Sequence, residues 1–586
     1  LTKFLFSDTS LKKGGYMNSI FLAIFTFFLY IIAYNTYGKF IAKKLFKLDN
    51  TNKTPAVEQE DGIDYVPTRK EIIFGHHFTS IAGLGPIVGP AIAIIWGWIP
   101  ALLWLVFGSI FMGAVHDFGS LIVSLRNGGV SIGELTSSII NQRARVLFFL
   151  IIFFELWIVI AIFAMIMGVL FNLYPESVFP VWFQIPIAIG VGVLVYRRKM
   201  NVTLLSIIAI IFMYITIIVG AHFPIKIPSL GHVGSVEIWV LILLIYVFFA
   251  STLPVWVLLQ PRDYINAFQL IIAMSLLFLG VLFAHPQIVA PGINTPPADA
   301  PPILPFIFVI VACGAISGFH SLVSSGTSSK QILKESDSLF VGYGGMLFES
   351  FLAILVLISV SAGIGIKYIT KSGEILRGFQ AWQTHYSSYL GSSGLGAKLT
   401  AFITGSANLM EALRIPHIVA ATIMGVFIVS FAGTTLDTAT RVQRYVITEF
   451  LSGAKWEWVK NRYFTTFIAV LTAALLAFSQ KGGKGAMILW PLFGTVNQLL
   501  AGLALLIITV YLKKHKKNLL ISGIPMVFMI TMTGYAMIKN IINFFLKHNH
   551  LLFGIGIAVF LLELWLIIEG IIVLKGGNNL VWEKEK

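Results

Sequence analysis

Cysteine is all but missing: Cys313 stands alone in 586 residues, so no disulfide can form within the chain and redox usage leaves its compartment open. As a small residue in an apolar run, Cys313 needs no further role. Charge is scarce too. Asp, Glu, Lys and Arg make up 11% of the chain against 57% hydrophobic residues, at a mean hydropathy of +0.87. That balance excludes a soluble surface and leaves an integral membrane protein. Acidic residues are the scarcer sign, giving a formal charge of +15. The excess does not mark a nucleic-acid partner, because the Lys and Arg sit in short loops between apolar runs and not along one polar face. No convergent set of nucleophile, base and metal ligands is present, which argues against an enzyme. No repeated filter element or ring of charge points to a channel. GLGPIVG, from Gly83, lacks the lysine and the preceding strand of a phosphate loop.

What fills the chain is apolar windows long enough to span a bilayer. They predict an all-α polytopic protein of about fifteen transmembrane helices, from 16–41 through 79–98, 100–125, 237–258, 303–325, 339–366 and 416–436 to 552–574. The first window is too long for a signal peptide, lacks a small-residue cleavage site and runs into Lys39, Lys43, Lys44 and Lys47, so it reads as a retained anchor. Leu1 in first position implies a missing initiator or a non-standard start, with Met17 the alternative origin. Lys and Arg recur in every second loop, as at Arg143/Arg145, Arg197/Arg198/Lys199, Lys330/Lys334 and Lys513/Lys514. Those loops are expected inside, which with an odd number of spans puts the N-terminus outside and the C-terminus inside. The loop from Lys367 to Arg414, expected outside, carries basic residues but is long enough for the charge rule to lose force.

The window at 79–98 cannot be a continuous helix. Gly83, Gly85, Pro86, Gly89 and Pro90 fall within IAGLGPIVGPAIA. Irregular backbone at membrane depth survives only where protein or a polar cavity surrounds it, and discontinuous helices are how many secondary transporters build their midplane sites. A second interruption is expected in 237–258, at FFASTLPVW, where Pro254 cannot donate to Ala250 and Ser251 or Thr252 can pair with the freed carbonyl. The two lie five helices apart in opposite orientation, which predicts a five-plus-five inverted repeat. Its halves would be 79–222 and 237–436, preceded by an anchor helix and loop at 1–78 and followed by peripheral helices at 437–586.

The inner part of the ninth span is crowded with hydroxyls at Ser321, Ser324, Ser325, Thr327, Ser328 and Ser329. Ser321, Ser324 and Ser325 share a helical face, and neutral oxygens of this kind suit a hard cation such as Na⁺. The alternative is that small residues simply let helices approach closely. Ionisable residues at membrane depth are candidates for function: Glu155, Glu349, His116, Asp117 and His320. His320 could relay a proton or make an interhelical hydrogen bond. Glu349 suits coupling or recognition of a substrate amine, whereas Glu155 suits pairing with a neighbouring helix, and Glu563 and Glu569 suit structural places. Asp437 and Arg441 are four apart and can pair, as a gate or as a mark of the inner boundary. Adjacent His76 and His77 diverge on a helix and lack a third ligand at useful spacing, so no metal is expected there.

EDGIDYVPT from Glu60, FGHHFTSIAGLGPIVGPA, GAVHDF, LPVWVLLQPRDY, ACGAISGFHSLVSSGTSSK, GYGGMLFES and WPLFGTVNQLLAG follow one another from about Asp61 to Gly502. This series resembles the carbon starvation protein A (CstA) family. The resemblance implies cation-coupled uptake of peptides, or of pyruvate in some members, across a bacterial cytoplasmic (inner) membrane. It also implies kinship with the amino acid/polyamine/organocation superfamily and its LeuT-like five-plus-five core, with one helix before and four after. On that arrangement Gly83, Gly85 and Gly89 would open the first broken helix, and Ser251 and Thr252 the second, to bind substrate together with Glu349. Ser321, Ser324 and Ser325 would hold a cation against carbonyls near Ala82 and Gly85, with His320 as a proton-carrying fallback. No cofactor is implied beyond Na⁺ or H⁺ as the coupling ion, no metal beyond Na⁺, and no partner beyond the peptide or pyruvate substrate and membrane lipid. Some relatives insert more around residues 368 to 414. A nutrient sensor or a channel is the rival class, which counterflow of labelled substrate would separate from a carrier.

Overall fold

The computed structural model describes residues 18–370, 372–451 and 457–576. Leu1 and Met17, the alternative starts, and Lys371 lie outside the described residues. Helices account for most of the described chain, whose only named strands, Tyr368–Ile369 and Ile375–Leu376, pair as a short hairpin.

In chain order the membrane helices are α1 (Ser19–Phe46), then α2 (Lys70–Ala82) and α3 (Gly85–Ala93), bent by 42° at their junction, and α4 (Trp98–Leu125). They continue with α5 (Gln142–Leu173), α6 (Val178–Tyr196), α7 (Val202–His222), α8 (Ser235–Thr252) and α9 (Leu259–Ala284). Next come α10 (Ile303–Ile310), α11 (Gly318–Gly326), α12 (Leu339–Gly365), α13 (Leu395–Glu411) and α14 (His417–Phe450). The series closes with α15 (Arg462–Ala477), α16 (Trp490–Lys514), α17 (Leu520–Leu546) and α18 (His550–Leu574). Each expected span has a helical counterpart, and among the described residues twelve helices are long and apolar enough to cross a membrane unaided.

The first break falls where glycine and proline predict it. Gly83 takes φ +21°, outside the range that ordinary side chains adopt. The second does not fall at Pro254. Leu253, ahead of that proline, is extended at φ −69°, ψ 150° and ends α8 after Thr252, as the steric demand of a following proline requires. Pro254 then sits in the turn that joins two separate spans. The second broken helix is instead 303–326, where Val311 to Ser317 leave the helix between α10 and α11. There the Ala312 carbonyl accepts from the N–H groups of Ala315 and Ile316 at 2.9 and 2.8 Å, a turn that meets the backbone's bonding needs inside protein.

The two broken helices are antiparallel, since α2 packs on α11 and α3 on α10. α2 lies against α9 and α11 against α16; α5 lies against α8 and α14 against α15. The boundaries drawn at 79–222 and 237–436 around Pro254 lose their anchor, and 437–586 is not uniformly peripheral. α16 is buried along its apolar centre and α14 runs on to Phe450, whereas in α17 and α18 only a minority of residues are buried. The stretch 367–414 is not a simple outer loop either: α13 packs into the bundle against α3, α9, α12 and α14. Ahead of it, backbone N–H groups of Leu390 and Tyr389 and the Ser388 hydroxyl donate to Asp299, holding that exposed carboxyl at about 2.

Candidate functional site

Because α2 begins at Lys70, nine residues ahead of the expected span, His76 and His77 are inside the bundle and fully buried. They diverge, as neighbours on a helix must. His76 Nδ1 lies 2.7 Å from Asp263 Oδ2 on α9 and its Nε2 3.0 Å from Thr327 Oγ1. His77 Nδ1 lies 2.9 Å from Ser328 Oγ. Asp263 also meets Arg262 Nη2 at 3.2 Å, and Arg262 Nη1 donates to Asp437 on α14 and, at 2.7 Å, to the Tyr246 hydroxyl on α8. Tyr246 in turn donates to Asp437 at 2.9 Å. Buried charge survives only when paired in this way, and here the pairing ties four helices together.

A second ionisable cluster lies beyond α11. Asp117 on α4 stands 2.8 Å from His116 Nδ1 and 2.9 Å from His320 Nδ1. The other ring nitrogen of His320 is 3.5 Å from Glu349 Oε2 on α12. That is too long for a good hydrogen bond, and both Glu349 oxygens lack a hydrogen-bond partner although fully buried. Thr327 and Ser328, just past α11, face His76 and His77 and so tie the end of α11 to α2.

The glycines expected to bind substrate open no cleft. A Cβ on Gly85 would lie 2.1 Å from Cys313 Sγ, and one on Gly89 would lie 2.7 Å from the Ile310 carbonyl. Both glycines let the two broken helices touch, which is a packing role. Gly83 faces Thr435, whose Oγ1 would be 2.9 Å from an added Cβ; Ala82 is the buried last residue of α2. Ser251 donates to the Asp437 carbonyl at 3.3 Å and Thr252 to the Phe249 carbonyl at 2.9 Å, at the end of α8 and not at a break.

Most hydroxyls of the serine cluster are turned back on their own helix. Ser321 donates to the Gly318 carbonyl and Ser325 to the Ser321 carbonyl, each at 2.7 Å, while Ser325 Oγ also accepts from the Ile132 N–H at 2.9 Å. Ser324 Oγ alone of the three is buried without a partner. Glu155 is buried with both oxygens unpartnered, so the expected pairing is not found among the described residues. Glu569 accepts from Asn141 at 2.7 Å, while the Glu563 oxygens have no partner.

Asp437 and Arg441 do not pair with each other. Asp437 faces Arg262, while Arg441, one turn on, donates to Asp64 at 2.9 Å and to the carbonyls of Ala250 and Leu253 at 3.1 and 2.6 Å. Both are buried, so each takes the opposite charge that the neighbouring element offers. Asp64, from EDGIDYVPT, also accepts from Arg444 at 2.8 Å and from the Tyr445 hydroxyl at 2.6 Å. Lys330 Nζ stands 3.6 Å from the Tyr445 ring centre. Burial alone would raise the Asp64 carboxyl, but Arg444, Arg441 and Lys330 outweigh it and hold it well below the usual carboxylate range. Sequence reasoning missed Asp64, Arg262 and Asp263. The signal was present in EDGIDYVPT and LPVWVLLQPRDY, but those ionisable residues fall outside the apolar windows, where charge needs no explanation.

The model of the family described as carbon starvation protein CstA matches residues 18–536. The peptide transporter CstA of Helicobacter pylori (strain ATCC 700392 / 26695) is 35% identical, with 91% of this chain and 83% of the relative covered. That of Escherichia coli (strain K12) is 32% identical over 87% of this chain and 79% of the relative. The pyruvate/proton symporter BtsT of the same strain is 31% identical over 91% and 83%. Among solved structures, the manganese transporter of Eremococcus coleocola matches with a TM-score of 0.41 at 14% identity, covering 89% of this chain and 99% of that one. With the family model spanning most of the sequence and relatives more than 30% identical over most of both chains, the chain belongs to the carbon starvation protein CstA family of multi-pass membrane transporters.

Proposed function

We propose that this protein is a cation-coupled secondary transporter that imports small peptides across the bacterial cytoplasmic membrane, with its N-terminus outside and its C-terminus inside. The observation that carries the reading is the buried line of ionisable groups from Glu349 through His320 and Asp117, set beside two antiparallel broken helices. On this reading the halves of the repeat start at the breaks and run over 70–284 and 303–514. The coupling ion is H⁺. Glu349 and His320 are fully buried and face each other across 3.5 Å, and neither the Glu349 oxygens nor His320 Nε2 has a hydrogen-bond partner. One proton moving inward across about 100 mV supplies about 2.3 kcal/mol, enough for about fifty-fold accumulation. The Asp64 cluster, on the Lys- and Arg-rich side, serves as the inner closure in place of an Asp437–Arg441 gate.

Uptake into proteoliposomes with proton and sodium gradients imposed separately tests the reading. Peptide accumulation is expected to follow the proton gradient. Glu349→Gln is expected to abolish accumulation while leaving exchange of labelled for unlabelled peptide. Accumulation that follows Na⁺ alone would return the weight to Ser324. Uptake of pyruvate with every di- and tripeptide ignored would favour the second reading, a pyruvate symporter, which the similarity to a pyruvate/proton symporter keeps in view.

A further inference from the structure

Four histidines are fully buried among the described residues, and three of them, His77, His116 and His320, hydrogen-bond through one ring nitrogen only. His76 is the exception. Its Nδ1 faces Asp263 Oδ2 at 2.7 Å and its Nε2 faces Thr327 Oγ1 at 3.0 Å. Asp263, paired with Arg262, is a carboxylate and only accepts. Thr327 has a second place for its own proton, because the Val323 carbonyl one turn back lies 3.1 Å from Oγ1. With the hydroxyl turned to Val323, both ring nitrogens of His76 face acceptors, and an imidazolium donates to both. With the hydroxyl turned to His76, Thr327 donates to Nε2 and the neutral ring is satisfied instead. The site gains or loses a proton by the turn of one hydroxyl, with no hydrogen bond of the ring stranded.

Charge decides which form this conformation holds. Asp437 on α14, Arg262 and Asp263 on α9 and His76 on α2 make one buried chain of contacts. Its two carboxylates outnumber its one guanidinium, and a proton on His76 makes up the difference. Without it a buried negative charge stands uncompensated, which is costly. The neighbouring groups do not supply the missing cation. Tyr246 on α8 meets Asp437 as a neutral hydroxyl, and His77 turns away to Ser328. Arg441 and Arg444 on α14 are taken by Asp64.

We propose that His76 is a proton-binding site separate from the Glu349–His320 pair, protonated in this conformation, whose proton neutralises the Asp437–Arg262–Asp263 chain and joins α2 to the end of α11. It thereby ties one half of each broken helix to the other. Loss of the proton leaves a negative charge on the chain and reverses the bond to Thr327. The site does not depend on which ion drives uptake.

Nitrogen–proton correlation spectra of the full chain in lipid nanodiscs, with isotope-labelled histidine, test it by counting the protons on each ring. At pH 7 the His76 ring is expected to show two N–H signals, both absent from His76→Asn. Should that variant not fold, Thr327→Val identifies the same ring by moving its Nε2 signal alone. In Asp263→Asn the ring is expected to lose one of the two signals, because Asp437 then balances Arg262 by itself. A single N–H signal from His76 in the wild type would overturn the proposal, and so would two signals surviving in a folded Asp263→Asn variant. Glu349→Gln is expected to keep both signals while abolishing accumulation. Loss of a His76 signal there would overturn the separation of the two sites. Accumulation that persists there with both signals present would sink the coupling role of Glu349 and leave the His76 site standing.

Discussion

The two broken helices reach the same end by different chemistry. In α2–α3 the break is written in residues that cannot hold a helix: Gly83 adopts a positive φ, and Pro86 and Pro90 lack an N–H. In α10–α11 the departing stretch, Val311 to Ser317, contains one glycine and no proline. It leaves the helix because its surroundings accept it. Asn497 Oδ1 on α16 receives the Phe319 N–H at 2.9 Å and the Ser317 hydroxyl at 3.1 Å. The Gly314 Cα sits where a Cβ would meet Ala353 at 2.7 Å. One break is intrinsic and the other is imposed, so only the first can be read from local sequence.

The sharpest way to break this comparison is to fill the contact between them. Gly85→Leu drives a side chain into Cys313, and the structure expects a loss of folded protein beyond the usual 1–3 kcal/mol or so of overpacking, not a pure transport defect. Cys313→Gly in the same chain removes the Sγ and should restore part of the thermal midpoint. If Gly85→Leu folds normally by thermal melting, the contact between the breaks is wrong.

Next in size is Arg262→Met, which strands Asp437 and Asp263 without their cation. Removing one partner of a buried ion pair costs about 3–5 kcal/mol, and Asp437→Asn added to it should recover part of that. A melting series of the single and double variants reads the coupling directly. Asn497→Leu on the other side would test whether α16 imposes the second break. It leaves the Phe319 N–H unsatisfied, at about 1–3 kcal/mol, measurable as a faster hydrogen exchange of α11 than of α2.

At the inner face, Asp64 carries the same contrast into pH. Its carboxyl is held below its unfolded value by Arg444, Arg441 and Lys330, so the stability it contributes is present above the unfolded value of about 3.9 and is lost only as pH falls through the lower folded one. The closure should therefore hold across neutral and mildly acid pH. Asp64→Asn should melt earlier at pH 7 by a margin that shrinks as the wild type is acidified. The smallest effect belongs to Pro254→Leu. With Pro254 in a turn between α8 and α9, the change should cost no more than about 1 kcal/mol and leave peptide uptake near normal. A transport defect as large as that of Glu349→Gln would put an interruption back at Pro254.

Several features were legible for a plain reason. Every apolar window became a helix because the bilayer leaves the backbone no other way to satisfy itself, and the glycines and prolines of 83–90 could not be accommodated otherwise. Glu349, His320 and Asp117 stood out because ionisable residues are costly among hydrophobic ones. Asp64 and Arg262 did not, because the groups that enclose and pair them come from far away in the chain. The pairing of Asp437 with Arg441 failed on the same ground. An i, i+4 spacing shows that two groups can meet, but each had a partner elsewhere, Arg262 on α9, 175 residues away, and Asp64 in the loop before α2, 377 residues away.

Composition and spacing by themselves determined that the chain lives in a membrane, where its helices run and that one of them is broken, since each follows from the cost of unpaired backbone in hydrocarbon. Tertiary structure decided the rest. Which second helix breaks, which acid meets which base and which buried donors stay unpaired depend on groups brought together from distant parts of the sequence. The free energy of a buried polar atom is set by its neighbours in space, and no local pattern of residues records who those neighbours are.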